Sequence, residues 1–166
     1  DIIVSATGLE LEFLGGADVI VDGKPVNFPD TFAYKGMMYS GVPNMTSVFG
    51  YTNASWTLKA DLTCEYVCRL LNHMGNVGAT TATPHLEDPN MDADPWLDFS
   101  SGYVVRAMHR FPKQGKGKPW RLHQNYALDI IALRTGKLED GVMVLSGPNA
   151  AAGSNTENDA ASVAAE

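Results

Sequence analysis

The residues best placed to do chemistry lie in the stretch at residues 50–61, where a short polar turn joins an apolar strand to a long helix. Thr52 or Asn53 can cap that helix, because a short polar side chain accepts a hydrogen bond from a free N–H of the first turn. The other free N–H groups and the helix dipole favour an anion, or a ligand edge that becomes negative during a reaction. An ordinary capped helix without a ligand is the simpler explanation of the same pattern.

The long helix that must position this turn is predicted over residues 53–74, and Gly75 and Gly78 are expected to end it. Apolar residues recur in two stripes at helical spacing, so we expect the helix to pack between two layers. The first stripe is Trp56, Ala60, Thr63, Val67, Leu71 and Met74, and the second is Leu58, Leu62, Tyr66 and Leu70. Glu65 and Arg69 lie one turn apart and can pair on the exposed face.

The other predicted elements are short. Asp22-Gly23 is a strong two-residue turn signal and predicts a hairpin over residues 17–26. A buried strand is predicted at residues 1–6, and it would need partner strands on both edges. The remaining predictions are an extended segment at 34–39, a turn at 40–44, a strand at 45–51, an extended connector with one short strand at 80–99, helices at 103–111 and 125–134, a flexible basic loop at 114–118 and a strand at 141–145.

Composition and charge exclude several classes of protein. The 166 residues are enough for one domain, and 45% of them are hydrophobic, which suffices for a core. A net charge of −7 argues against a nonspecific nucleic-acid binder. No apolar run in the sequence is long enough for a transmembrane segment. These features predict a globular protein without the broad basic surface that nonspecific binding of nucleic acid would need.

The cysteines and histidines give no sign of a metal site. Cys64 and Cys68 lie four residues apart in the predicted helix, and we expect them to be reduced and partly buried. Reduced cysteines indicate a cytoplasmic protein. The spacing of the four histidines fits neither a metal site nor a catalytic triad; they are His73, His85, His109 and His123.

Aromatic residues near the turn are candidates for a ligand pocket. Tyr51 is the best of them because it ends a predicted strand beside the helix start. Tyr34 and Met37 are weaker candidates for the same role. Trp56 could line a pocket, but an aromatic residue in the first turn of a buried helix is more simply explained as core.

Basic residues are concentrated near the C-terminal end of the chain. Six of the twelve lie between residues 106 and 121, and they could receive a cofactor phosphate. A solvated basic loop that balances an acidic protein is the simpler explanation. We expect Arg121 to form a structural ion pair.

Several segments together resemble the C-terminal part of flavin-dependent Baeyer–Villiger monooxygenases, in particular the ethionamide-activating-type branch. In chain order they are DIIVSATG at 1–8, YKGMMYSGVPNM at 34–45, GYTNASW at 50–56, EYVCRLL at 65–71, PKQG at 112–115, PWRL at 119–122 and QNY at 124–126. The likeness covers roughly residues 1–146. A strand that ends in ATG is common among flavin and nicotinamide enzymes, whereas the ordered series is specific.

The resemblance implies an α/β fold: the C-terminal part of a Rossmann-like FAD/NAD(P)-binding flavoprotein with two dinucleotide domains and a small C-terminal cap. Residues 1–78 would form the return strand of the nicotinamide-nucleotide domain and the end of the FAD domain, and residues 79–146 the cap. Residues 147–166 are expected to be a disordered tail. The GxGxxG fingerprint is absent from this sequence, so we expect the chain to be part of a longer enzyme.

By resemblance, the intact enzyme uses FAD and NADPH to insert one oxygen atom of O2 beside a ketone carbonyl, or onto sulfur or nitrogen, through a flavin peroxide. The implied cofactor-binding residues are Ala6, Thr7, Gly8, Thr52, Asn53, Ala54 and Ser55, together with the pocket candidate Tyr51. The family's catalytic arginine precedes the matched region, so no residue here is expected to be catalytic. The chain alone is therefore expected to be inactive. The alternative is a noncatalytic standalone fragment or a partner-binding module.

Overall fold

One long helix organises the fold. The computed structural model describes residues 1–97 and 100–148. Helix α1 comprises Trp56–Val77, and its buried face carries Lys59, Leu62, Thr63, Tyr66, Leu70 and Met74. Trp56 and Leu71, from the first predicted stripe, are 55% and 59% exposed. The prediction of a helix packed between two layers is therefore wrong for the described part of the chain, because only one face has elements to pack against.

The two glycines predicted to end α1 have different roles. Gly75 lies inside the helix, whereas Gly78 is the C-cap with a φ of 73°, and its N–H donates to the carbonyl of Met74. A left-handed backbone at this position is cheap only for glycine, because a Cβ would crowd the following carbonyl. Gly78 therefore ends the helix, and Gly75 does not.

Within residues 1–97 and 100–148, the strands are short and pair as four antiparallel two-stranded sheets. The pairs are β1 Ile20–Val21 with β2 Lys24–Pro25, β3 Ala33–Tyr34 with β4 Met38–Tyr39, β5 Thr81–Pro84 with β8 Met143–Ser146, and β6 Ala93–Pro95 with β7 Lys113–Gly115. Two shorter helices follow α1. Helix α2 comprises Gly102–Ala107 and continues as a 3-10 turn, and α3 comprises Tyr126–Ile130 and continues as a π-helical turn at Ile131–Thr135.

Several local predictions are confirmed. Asp22 and Gly23 have φ values of 50° and 77°, the two left-handed residues that a tight hairpin turn requires. The turn at 40–44, the helices near 103–111 and 125–134, and the strand near 141–145 are also present, the last as β8. Asn125 caps α3, because its side-chain oxygen accepts a hydrogen bond from the N–H of Leu128.

The predicted strand at residues 1–6 is wrong. These residues form no strand, and the side chains of Ile2, Ile3 and Val4 are 86–94% exposed. An apolar strand is stable only when a neighbouring strand pairs with it and another layer covers it, and the described residues supply neither.

Three further predictions need correction. The segment 34–39 is not extended: Lys35 and Gly36, with φ values of 50° and 71°, fold it back as the β3–β4 hairpin. Residues 45–51 contain no strand, and the predicted loop at 114–118 begins inside β7. The described residues of the connector at 80–99, which are 80–97, contain two strands, β5 and β6, rather than one.

The core consists of two apolar clusters. The first joins α1 to β3–β4 and α3 through Tyr34, Leu62, Tyr66 and Leu133, all at most 1% exposed. In the second, the ring of Phe13 lies 5.0–5.8 Å from those of Phe28, Tyr39, Trp96 and Phe111. The first cluster contains residues from before and after residue 78. The predicted division at that residue, into part of an FAD domain and a cap, stays a prediction.

Two predictions concern segments beyond this core. No helix among residues 1–97 and 100–148 is long and apolar enough to cross a membrane. The tail predicted over residues 147–166 lies, from residue 149 onward, outside the described residues.

The different roles of the two glycines can be tested by alanine substitution. Gly75→Ala should raise the free energy of unfolding by about 0.5–1 kcal/mol, because alanine is the better helix former and its Cβ meets nothing within 4 Å. Gly78→Ala should lower it by about 1–2 kcal/mol, because alanine resists the left-handed conformation. Urea denaturation followed by circular dichroism measures both. If both variants were destabilised equally, Gly75 would be part of the helix terminus after all.

Candidate functional site

The N-terminus of α1 has no side-chain cap among the described residues. Ser55 occupies the N-cap position, but its hydroxyl pairs with the Thr57 hydroxyl at 2.8 Å and accepts no hydrogen bond from a helix N–H. The prediction that Thr52 or Asn53 caps the helix is therefore wrong. Because the first-turn N–H groups have no capping side chain, the positive end of the helix dipole is available to a ligand.

Thr52 and Asn53 hold the turn against another segment instead. The backbone N–H and the hydroxyl of Thr52 donate to the Gln124 side-chain oxygen at 3.0 and 3.2 Å. The side-chain amide of Asn53 donates to the Gln124 carbonyl at 3.0 Å. These bonds fix the turn, while Ala54 and Ser55 remain exposed at the end of the helix.

A large cavity with aromatic walls lies beside this helix end. The aromatic cavity has a volume of about 460 Å³, and its lining includes Leu9, Phe13, Phe49, Tyr51, Thr52, Trp56 and Tyr103. Tyr51 lines it, as the sequence predicts. Trp56 lines it too and is 55% exposed, so its assignment to the core is wrong. The other two pocket candidates, Tyr34 and Met37, are fully buried in the first apolar cluster.

Gly50 makes the position of Trp56 possible. A Cβ at residue 50 would lie 2.2 Å from Cγ of Trp56, so any larger residue would displace the indole. The indole also packs on Phe49, with ring centroids 5.0 Å apart. The glycine thus shapes one wall of the aromatic cavity.

A buried ion pair anchors the turn that precedes α1. Lys59 Nζ of α1 lies 2.8 Å from Oδ2 of Asp129 in α3, and both side chains are 6% exposed. Tyr51 donates its hydroxyl proton to the same Asp129 oxygen at 2.7 Å. Burial, together with the hydrogen bond to Asp129, raises the pKa of Tyr51 well above its usual range, so its hydroxyl stays a donor. The triad of Tyr51, Lys59 and Asp129 ties three segments together.

Sequence reasoning missed this triad, although one signal pointed to it. Lys59 precedes Leu62, Thr63, Tyr66 and Leu70 at spacings of three, four, seven and eleven residues, which places it on the buried face of α1. A lysine on a buried helix face requires an anionic partner. The identity of that partner depends on tertiary contacts between residues 70 positions apart.

A second partly buried network connects the β3–β4 hairpin to the C-terminal segment. Asp140 Oδ2 accepts a hydrogen bond from the Tyr34 hydroxyl at 2.7 Å and pairs with Lys35 Nζ at 2.8 Å. Tyr34 also contacts the Tyr66 hydroxyl at 3.1 Å. Burial alone would raise the pKa of Asp140, but the hydrogen bonds from Lys35 and Tyr34 outweigh it and lower the pKa. For Lys35 the balance is the reverse. Burial lowers the pKa of its ammonium group more than the hydrogen bond and charge of Asp140 raise it.

The other predicted cofactor-binding residues, Ala6, Thr7 and Gly8, lie near the aromatic cavity. Thr7 and Gly8 line an N-terminal cavity of about 440 Å³ together with Arg106. Gly8 has a φ of 86°, which turns the chain there. Ala6 precedes this wall and is exposed. Leu9, Leu11 and Tyr103 line both cavities, so the structure brings the two predicted groups of residues to neighbouring cavities.

The basic run at 106–121 is not one phosphate patch, because three of its six members form separate ion pairs. Arg110 pairs with Glu10 at 2.8 Å and with Glu12 at 3.4 Å, and Lys116 pairs with Asp92 at 2.8 Å. Arg121 pairs with Asp94 at 3.3 Å, which confirms its predicted role in an ion pair.

Two smaller predictions about the face of α1 also change. Glu65 pairs with Arg134 at 2.6 Å and not with Arg69, which donates to the carbonyls of Leu133 and Gly136. Cys64 and Cys68 are free thiols, as predicted, but they are exposed rather than partly buried.

Within the described residues, no three His, Cys, Asp or Glu side chains cluster as a metal site would require.

Sequence comparison shows which known proteins this chain is similar to. Over 140 residues, the chain is 51% identical to the FAD-containing monooxygenase EthA of Mycobacterium tuberculosis and 49% identical to EthA of Mycolicibacterium smegmatis. The protein named "Probable FAD-binding monooxygenase AlmA" of Acinetobacter baylyi is 44% identical over 144 residues. The chain is related in sequence to one part of the FAD-containing monooxygenases.

These alignments cover 84–86% of this chain but only 28–29% of the length of each monooxygenase. No family model matches the chain, and no solved structure matches it. The resemblance to flavin-dependent monooxygenases is therefore confirmed on sequence. The activity of the longer monooxygenases becomes a proposal for this chain.

The Asp140 network should make stability sensitive to acid. Because the folded state lowers the pKa of Asp140, its stabilising contribution is present above the unfolded-state value of about 3.9 and is lost as pH falls through the folded-state value. Asp140→Asn should therefore be less stable than wild type at neutral pH. Below about pH 4 it should lose less stability than wild type, by up to about 1.4 kcal/mol per pH unit.

Urea denaturation between pH 7 and pH 2.5 measures this difference. Asp18→Asn is the matched control, because Asp18 is exposed and forms no ion pair within the described residues. An identical acid dependence in wild type and Asp140→Asn would contradict the assignment of the Lys35–Asp140 pair.

Proposed function

We propose that this chain is the C-terminal part of an FAD- and NADPH-dependent monooxygenase of Rossmann-like fold. The intact enzyme inserts one oxygen atom of O2 beside a ketone carbonyl, or adds it to sulfur or nitrogen of a small molecule. The sequence relationship to FAD-containing monooxygenases supports the use of FAD. The structural observation that carries the proposal is the uncapped N-terminus of α1 beside the aromatic cavity.

The residues around this helix end suit the ring of a flavin. The ring is flat and aromatic, with an apolar dimethylbenzene end, which matches walls formed by Phe49, Trp56 and Tyr103. One edge becomes negative on reduction, and N–H donors at a helix N-terminus stabilise negative charge. When bound, FAD supplies the two-electron chemistry and the reaction with O2. Thr52 and Asn53 keep the helix end in place through Gln124, and the exposed Ala54 and Ser55 would be the residues nearest to a bound ring.

The N-terminal cavity suits the second cofactor. Gly8 permits close backbone approach, and Arg106 offers a guanidinium to a phosphate of NADPH. The cradle for a dinucleotide pyrophosphate is not encoded in this chain, because GxGxxG is absent. The chain alone is accordingly inactive and contributes the flavin-facing helix end to the intact enzyme. Its free thiols suit a cytoplasmic enzyme.

The competing function is a noncatalytic module that binds a partner chain. The observation in its favour is the exposed apolar segment Ile2-Ile3-Val4, which could pair with a strand of another protein. The coding sequence upstream of Asp1 distinguishes the two functions. An in-frame GxGxxG favours the enzyme, whereas a start codon close to Asp1 favours the module.

The flavin assignment can be tested by placing a charge at the helix end of the intact flavoprotein. Ser55→Asp should lower the reduction potential of the flavin by about 20 mV, because a new carboxylate opposes negative charge on the reduced ring. This corresponds to about 1 kcal/mol for two charges roughly 4 Å apart in water. Dye equilibration measures the potential.

The matched control is Asn76→Asp, which introduces the same charge on an exposed residue near the other end of α1. It lies about 30 Å along the helix from Ser55, several screening lengths away, and should leave the potential unchanged. Equal potentials in Ser55→Asp and wild type would remove the flavin role from this turn.

A further inference from the structure

Apart from the proposed flavin site, the structure contains a cavity with an unusual concentration of positive charge. The basic cavity, of about 340 Å³, lies between the β3–β4 hairpin, α1 and the segment after residue 117. Its lining includes five basic side chains and two carboxylates, an excess of three positive charges in a chain with a net charge of −7. The basic residues are Lys35, Lys59, Lys118, Arg121 and Lys137, and the acidic residues are Asp129 and Asp140.

The two carboxylates neutralise only the deeper part of this cavity. Asp129 pairs with Lys59 and Asp140 pairs with Lys35, each at 2.8 Å. At the rim, Arg121 shares its charge with Asp94 at 3.3 Å. Lys118 and Lys137 form no ion pair within residues 1–97 and 100–148 and are exposed at the rim. Two uncompensated ammonium groups therefore border the same cavity.

Besides this charge, the basic cavity offers an imidazole nitrogen and an apolar wall. His123 lines it, and its Nε2 has no hydrogen-bond partner among the described residues. Pro119, Leu122 and Leu133 line the cavity as well. The same site thus combines cations for an anion with an apolar surface for an organic group.

We propose that the basic cavity binds a small phosphate ester, with its phosphate between Lys118 and Lys137 and its organic group against Pro119, Leu122 and Leu133. Two unpaired ammonium groups match a divalent oxyanion better than a monovalent carboxylate. The apolar wall favours an ester over inorganic phosphate. This proposal is independent of the flavin assignment, because the basic cavity shares none of its lining residues with the aromatic cavity.

Equilibrium dialysis of the 166-residue chain with three probes tests the proposal. Phenyl phosphate should bind saturably at one site per chain, inorganic phosphate should bind more weakly, and neutral phenol should show no saturable binding. The double variant Lys118→Gln/Lys137→Gln should weaken phenyl phosphate binding about tenfold, since it removes two charges near the anion. Both substitutions are on exposed side chains.

The matched control is Lys24→Gln/Lys116→Gln, which removes the same charge from two exposed residues outside the basic cavity. It should leave the affinity for phenyl phosphate unchanged. An equal loss of affinity for phenyl phosphate in both double variants would mean a nonspecific effect of net charge. It would overturn the proposal that Lys118 and Lys137 form the site. Absence of saturable binding would overturn it as well, and equal affinities for phenyl phosphate and inorganic phosphate would overturn the assignment to an ester.

Discussion

The buried ion pair between Lys59 and Asp129 is the constraint on which the other features of the site depend. Both groups are almost fully removed from water, so each needs the other to offset its lost hydration. The pair fixes α1 against α3, and the Tyr51 hydroxyl bonded to the same carboxylate fixes the chain that leads into α1. The position of the helix start is thus set by the buried Lys59–Asp129 ion pair and its hydrogen bond from Tyr51, rather than by a capping side chain.

This arrangement explains how the helix end can remain available. An ordinary helix uses a Ser, Thr, Asp or Asn side chain to satisfy its first N–H groups, which would block a ligand. Here Thr52 and Asn53 are engaged by Gln124, and Ser55 is engaged by Thr57. Gly50 leaves room for the Trp56 indole beside this end. The polar residues of the turn therefore leave the helix start uncapped next to an aromatic cavity.

Local sequence signals predicted part of the local structure. The Asp22-Gly23 hairpin, the 22-residue helix and the short C-terminal helices follow from turn chemistry and helical periodicity, which act over a few residues. The predicted strand at residues 1–6 failed because strand formation depends on a distant partner. Trp56 was misplaced for a related reason: its helical spacing did not show that, among the described residues, no element covers that face of α1.

The parts of the site that the sequence did not predict are those made by long-range pairs. Lys59 with Asp129, Tyr34 with Asp140 and Asn53 with Gln124 lie 70, 106 and 71 residues apart. No periodicity relates residues at such separations, so only the folded arrangement identifies them. The resemblance to flavin-dependent monooxygenases located the turn, and the structure showed how it is held.

A double-mutant cycle on Lys59 and Asp129 tests this account most directly. Lys59→Met and Asp129→Asn should each lower the free energy of unfolding by about 3–5 kcal/mol, because each leaves a buried partner without its counterpart. The double variant should cost clearly less than the sum of the two, with a coupling energy of about 2 kcal/mol or more. Additive effects of the two substitutions, measured by urea denaturation, would show that the ion pair does not hold the helix start.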